Sequence, residues 1–146
     1  MSSNIITLIK LDTVHLYVDQ LKKILFFDVL NSTYKKENCI TVLEYFKNFW
    51  ILAKDKNLKY FLIIKINSIG IYPLDFYNNL VNCLTELNDI FINHLHSCYF
   101  LCNNSNPIIL LKPLFKMYNF IRPLHICNAY EEAIILSKDS KNNLTT

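Results

Sequence analysis

The sequence predicts an α/β fold: a mixed, mostly parallel sheet of four to five strands with helices packed on it. Three observations carry that reading. From residue 39 onward, segments of helical period alternate with short apolar runs. Such alternation implies parallel strands joined by helical crossovers. The run "LKYFLIIKI" (58–66) is apolar almost without interruption, as in a strand covered on both faces. The first 30 residues are instead rich in β-branched residues and alternate in character, which predicts additional and partly antiparallel strands.

Taken in order, "NIITLIKL" reads as a strand, Asp12-Thr13 as a turn and "VHLYV" as a second strand. "KKILFFDVL" fits a third strand, while "DQLKKILF" also fits a short helix, and periodicity leaves both open. "NSTYKKEN" is a polar connection. Ile40, Leu43, Phe46, Trp50 and Ala53 then recur at three- and four-residue steps, the apolar face of a helix that ends near "KDKN". After the central strand, Pro73 opens a long helix in a position where its missing N–H costs nothing. Leu74, Tyr77, Leu80, Val81, Leu84, Leu87, Phe91 and Leu95 form its predicted buried face. "CYFLC" is a short strand, and "NNSNP" is a turn that starts another helix, with Ser105 or Asn106 as its cap. Pro113 makes "PIILLKPLFKMYNF" either a kinked helix or a turn followed by a helix from near Lys112. "LHIC" is the last strand and "AYEEAIIL" a short terminal helix. A single domain over 1–136 with a flexible tail at 137–146 follows.

The 146 residues suffice for one substantial core, and with 52% of them hydrophobic the ordering entropy can be offset. The formal charge of +3 is weak, and lysines alternate with acids, so no basic stripe marks a nucleic-acid partner. Asn, Lys, Ile, Tyr and Phe are favoured over Gly, Ala and Arg, a bias toward AT-rich codons. That suits an AT-rich parasite, an AT-rich bacterium or a large DNA virus. No apolar run reaches the roughly 20 residues that span a bilayer, and "IITLI" is too short for a signal-peptide core. Cys39, Cys83, Cys98, Cys102 and Cys127 are odd in number and lack any C-x-x-C spacing. They are expected as reduced, mostly buried thiols, and the location as cytoplasmic.

Catalytic patterns are missing. Gly70 is the only glycine, so neither a dinucleotide fingerprint, a P-loop nor a nucleophile elbow can be built. His94, His96 and Cys98 straddle the end of a helix and the start of a strand. Residues two apart face opposite ways in a helix and stand nearly ~7 Å apart in a strand, too far to converge on one metal. Histidine at the helix end is read as capping. No catalytic residue, metal site or cofactor is predicted.

The remaining candidate is the junction after the central strand. In open parallel sheets, ligands and partners engage the loops at the carboxyl ends of strands. Asn67, Ser68, Ile69, Gly70 and Tyr72 would lie at such an end, just before the long helix. Asn103 and Asn104, after "CYFLC", would form the neighbouring loop.

From "YFLIIKI" through the long helix, "CYFLC", "NN", "PIILLKPLFKMYNFIRP", "LHIC" and "AYEEAI", the order resembles the STAS / anti-sigma-factor-antagonist fold. The lipid-binding CRAL-TRIO domains are more distant relatives of that fold. Asn103-Asn104, Leu111, Phe115, Leu124–Cys127 and Glu131-Glu132-Ala133 carry the resemblance, which covers residues 39–136. Proteins of this type also occur in large DNA viruses, in keeping with the codon bias. The resemblance implies a non-catalytic regulatory module. Its partner protein, often a kinase or a transporter in the family, would dock on the loop after the central strand and on the following helix. It also implies a regulatory hydroxyl in a D-S-S/T-G context. Here Asn67 stands in place of the acid, Ser68 is the nearest hydroxyl and candidate phosphorylation site, and Pro73 reshapes the helix start. The CRAL-TRIO kinship implies an alternative, a small carrier of a lipid or other apolar ligand. An open sheet edge at the N-terminal strands leaves room for a homodimer.

Overall fold

The computed structural model describes residues 4–30, 35–66, 73–102 and 107–127. Six strands and three helices alternate as β1 (Ile5–Lys10), β2 (Val14–Asp19), β3 (Ile24–Val29), α1 (Lys36–Asp55), β4 (Tyr60–Ile66), α2 (Leu74–His94), β5 (Leu95–Cys102), α3 (Pro107–Met117) and β6 (Leu124–Cys127). They form one mixed sheet in the order β1-β2-β3-β4-β5-β6. The expected α/β class holds, with six strands where four to five were expected. The difference arises at the N-terminus, where the segment left open between strand and helix is a third strand beside the two expected ones. "ILFFDV" pairs antiparallel with β2 and parallel with β4. That double pairing, a non-local effect, excludes the helix that local spacing left open.

Asp12 and Thr13 turn the chain between β1 and β2 as predicted, closed by Leu11 N–H donating to Val14 O at 2.8 Å. The Asp12 carboxylate is gripped by Lys35 and Asn38 at the start of α1. The Lys35 hydrogen bond holds its carboxyl below the usual carboxylate range. Left-handed backbone falls on Lys23 (φ 58°) and Asn57 (φ 54°) among the described residues. Asparagine tolerates that conformation; lysine is held in it because its carbonyl accepts Phe61 N–H at 2.9 Å, the start of the β3–β4 pairing.

Strands β3 to β6 run parallel, and each step moves one place in the same direction. Right-handed crossovers that always advance the same way set every connecting helix on one face. That face holds the main core: Leu16, Leu25, Leu62, Cys98 and Phe100 from the sheet meet Val42, Leu43, Phe46 and Trp50 of α1, Leu84, Leu87 and Phe91 of α2, and Leu114. Trp50 is its centre, fully buried, with Phe46, Phe49, Tyr60 and Phe91 edge-on around it at centroid distances of 5.2–6.4 Å. Such edge-to-face pairs satisfy the ring quadrupole as well as burying area. An ion pair from Lys47 to Glu86 at 3.0 Å joins α1 to α2 at the surface.

Several details differ from the expectation. α1 begins at Lys36, three residues before the predicted start, without a side-chain cap. Ile40 and Leu74, assigned to buried faces, are 42% and 67% exposed; Ile40 sits to one side of the stripe that Val42, Leu43, Phe46, Trp50 and Ala53 form on α1, and Leu74 is the first residue of α2. Leu95 belongs to β5 and α2 ends at His94. α3 is one helix that includes Pro113, which forgoes its bond to the preceding turn. The terminal helix over "AYEEAIIL" and the tail at 137–146 lie outside the described residues. Among the described residues, no helix is long and apolar enough to cross a membrane.

Candidate functional site

Because β3 to β6 are parallel, their carboxyl ends share one rim of the sheet. β4 and β5 are neighbours there, with Ile66 opposite Cys102 in the register. The two predicted loops therefore leave the sheet from adjacent strands. Asn67, Ser68, Ile69, Gly70, Tyr72, Asn103 and Asn104 themselves lie outside the described residues. What borders them is described. Ile66 is buried, Pro73 is the extended residue before α2, and Leu74 stands exposed in the first helical turn. Asp75 in the same turn lies 4.0 Å from Lys36, the first residue of α1. The rim thus gathers the amino-terminal turns of α1 and α2, each carrying an acid (Glu37, Asp75) that complements the helix dipole.

The face of the sheet turned away from the helices carries a second polar feature near the same rim. Asp28 on β3 is opposite His15 on β2 and Lys65 on β4. Its side chain is buried, with Oδ2 accepting a hydrogen bond from the Tyr17 hydroxyl at 3.0 Å. Oδ1 has no hydrogen-bond partner among the described residues. Burial raises the Asp28 carboxyl above the ordinary value of 3.8, and the Tyr17 bond, Lys65 and His15 only partly oppose it. Burial likewise lowers His15, with Lys10 adding to the effect, while Asp28 opposes it. His15 Nε2 lies 3.0 Å from Thr7 Oγ1. A buried carboxyl biased toward its neutral form can donate as well as accept a hydrogen bond.

The sign of that bias yields a test. Above pH 3.8 the unfolded carboxyl loses its proton while the folded one resists, so the native state binds more protons. Asp28 therefore makes stability fall as pH rises through the window just above 3.8. Asp28→Asn keeps an acceptor for Tyr17 and removes the charge. In urea titrations it is expected to match or exceed the parent at pH 7, with the difference closing toward pH 4. A variant clearly weaker at pH 7 would mean that Lys65 and His15 outweigh the burial.

Sequence reasoning missed this cluster, although its signal was present: an acid inside "ILFFDVL" and a lysine inside "YFLIIKI" interrupt apolar strands. Only the register places the two side by side.

The histidine–cysteine group does not converge. His94 Nδ1 lies 2.9 Å from the carbonyl of Leu58. It thus ties the end of α2 to the segment before β4, a partner other than the helix's own carbonyls. His96 stacks on Phe61, 4.6 Å between centroids, on the face away from the helices. Cys98 is buried in the helix-side core. Strand alternation would have put His96 and Cys98 on one face; a register irregularity between Leu95 and Cys98 separates them. Arg122 fixes the same stretch, donating to the carbonyls of Leu95 and His96 at 2.9 and 3.2 Å. Among the described residues, no group of three His, Cys, Asp or Glu is placed to hold a metal. Burial pushes the Cys39 thiol up to about 11 and the Cys83 thiol up to about 12, and raises Cys98 as well. These thiols stay protonated and behave as packing groups. Cys83 Sγ–H points to Leu43 O at 3.9 Å, across the α1–α2 contact.

Comparison with family models, with curated proteins and with solved structures finds no match for this chain.

Proposed function

We propose that this protein is a non-catalytic interaction or regulatory module, STAS-like in type, that docks a partner protein at the carboxyl rim of its sheet. The docking surface is Asn67, Ser68, Ile69, Gly70 and Tyr72, the first turns of α2, and Asn103 and Asn104. The observation that supports it is the pairing of Ile66 with Cys102, which ends β4 and β5 side by side on one rim, with Leu74 exposed at the start of the helix that follows β4. An apolar side chain 67% exposed on a first turn gives a partner something to bury. The raised thiols of half-buried Cys39 and of buried Cys83 and Cys98 fit a role without nucleophilic chemistry. Phosphorylation of Ser68 would add charge ahead of α2, tolerated by the helix dipole and repelling an acidic partner. The setting is the cytoplasm, the host's if the gene is viral. A homodimer would form at the β1 edge, where Ile5 and Ile6 are exposed.

Quantitative pull-down from extract of the source cells tests the surface. Ser68→Glu, Tyr72→Ala and Leu74→Asp are each expected to cut recovery of the dominant partner by at least about tenfold, the effect of losing about 1.4 kcal/mol. Leu52→Asp, on the exposed side of α1, serves as the control and should leave recovery unchanged. Equal recovery with all four variants would remove this surface from the proposal.

A further inference from the structure

Among the described strands β1 bonds to β2 alone, so its other side is an open edge of the sheet. Ile5 lies opposite Asp19 and Ile6 opposite Val18, and the two isoleucines therefore point to opposite faces. Both are about half exposed, at 48% and 46%, whereas Val18 and Ile24 on the next two strands are each 1% exposed. The start of β1 thus reaches past the cover on both faces. A strand laid beside it in the plane of the sheet would shield both side chains at once. The backbone gives that edge a phase. Gln20 N–H donates to Asn4 O at 3.1 Å, so the peptide groups of Asn4 face β2, and alternation turns those of Ile5 and Thr7 outward. At the far end Leu11 N–H donates to Val14 O, so Leu11 and, by alternation, Ile9 face β2. A register irregularity between Thr7 and Ile9 separates the two halves. An added strand can follow the phase from Ile5 to Thr7 and loses it beyond.

We propose that a second copy of this chain adds to this edge, its β1 antiparallel to the first about a two-fold axis through Ile6. Self-complementarity selects that occupant. The axis sets Ile6 against Ile6 of the second copy in a non-hydrogen-bonded pair, where side chains come closest. It sets each Ile5 against the other copy's Thr7, and these pairs exchange the backbone bonds that point outward. The isoleucines cover each other, and the outward peptide groups of Ile5 and Thr7 are met. An axis through Thr7 fails, because it would put Ile5, whose groups face outward, against Ile9, whose groups face β2. The only charge on β1, Lys10, lies beyond the irregularity, so no like charges meet across the axis. The two six-stranded sheets become one, with the helices of both copies on the same face. So short a paired segment makes a small interface, of the sort under about 1,200 Å² that associates weakly and reversibly. This inference rests on the homodimer reading above, to which it adds the register and the residues, and it is independent of the loop surface.

Light scattering of the full chain over a concentration series, up to its solubility limit, tests the dimer, and single cysteines test the register. The mass should rise toward that of two chains. Ile6→Lys opposes like charges at the axis and should raise the dissociation constant at least about tenfold, with Trp50 emission unshifted. Ile6→Cys should give a covalent dimer on mild oxidation, because a non-hydrogen-bonded pair holds its Cα atoms about 4.5 Å apart, within disulfide reach. Ile5→Cys should not, since the second copy's Ile5 lies two residues further along. A monomer at every concentration would overturn the homodimer and this register together. A dimer that withstands Ile6→Lys, or that Ile5→Cys traps and Ile6→Cys does not, would overturn the register and leave the homodimer reading standing. Should Ile6→Lys fail to fold, the cysteine pair decides alone.

Discussion

Trp50→Ala is expected to cost about 3–5 kcal/mol, the range for removing a large aromatic from a packed core. No other described side chain of that size is so enclosed: Trp50 is 0% exposed and meets rings from α1, β4 and α2. Truncation would open a cavity at the junction of all three elements. Their backbones are fixed by sheet and helix bonds, so collapse around the gap is limited. For a chain of this size each kcal/mol shifts the melting midpoint by about 2–4 °C. Trp50→Phe separates the contributions. It keeps aromatic contacts in the core and discards an indole N–H that has no hydrogen-bond partner among the described residues. The loss should therefore shrink to about 1–2 kcal/mol, since an unsatisfied buried donor carries its own penalty. Urea titration followed by circular dichroism measures both. Because Trp50 is the sole tryptophan, emission of the parent protein reports this core directly. A loss below about 1 kcal/mol for the alanine variant would disprove the packing described here.

Ile63→Asp is the second large effect, expected to exceed about 4 kcal/mol. Ile63 is 0% exposed on the sheet face opposite the helices, at the centre of β4, between Phe26 and Tyr99 in the register. A carboxylate there would lose its hydration with no described cation at the same level, so it would either stay protonated or unfold the chain. Ile63→Val, which removes one methylene and adds no charge, should cost only about 0.5–1.5 kcal/mol. Near-parental stability of Ile63→Asp would show that this face is wet. The contrast with Leu52→Asp is instructive. Leucine at 55% exposure on α1 tolerates the same charge within about 0.5 kcal/mol.

How far the sequence carried depends on the range of the forces at each place. Helical spacing in 36–55 and 74–94 is a local signal, and both helices lie where that spacing predicts, with Phe46, Trp50, Leu84, Leu87 and Phe91 inward. The run 60–66, apolar except at Lys65, marked a strand buried on both faces, and β4 is one. "ILFFDV" was ambiguous because six residues hold too few periods to separate strand from helix; pairing with β2 and β4 decided it. Two residues assigned to buried helix faces are exposed for a related reason. Three- and four-residue steps fix the inward stripe only coarsely near a helix start, and so Ile40 and Leu74 fall outside it.

The site divides the same way. That β4 delivers its following loop to a rim could be read from strand–helix alternation alone. That β5 opens beside it, with Ile66 against Cys102, was a matter of strand order, which no local pattern encodes. Asp28 and Lys65 are 37 positions apart and meet only because β3 and β4 are parallel neighbours in a particular register. A one-residue slip would turn one of them toward the helices. His96 and Cys98 show the reverse, a pair that alternation joins and a register irregularity parts. The sequence by itself determined the α/β class, most of the elements and the lack of a glycine-rich phosphate-binding motif, because these rest on composition and short-range periodicity. The tertiary structure alone decided which strands adjoin, and with them the shared rim and the buried carboxyl at Asp28. Adjacency comes from hydrogen bonding and burial between segments far apart in the chain, where local spacing carries no information.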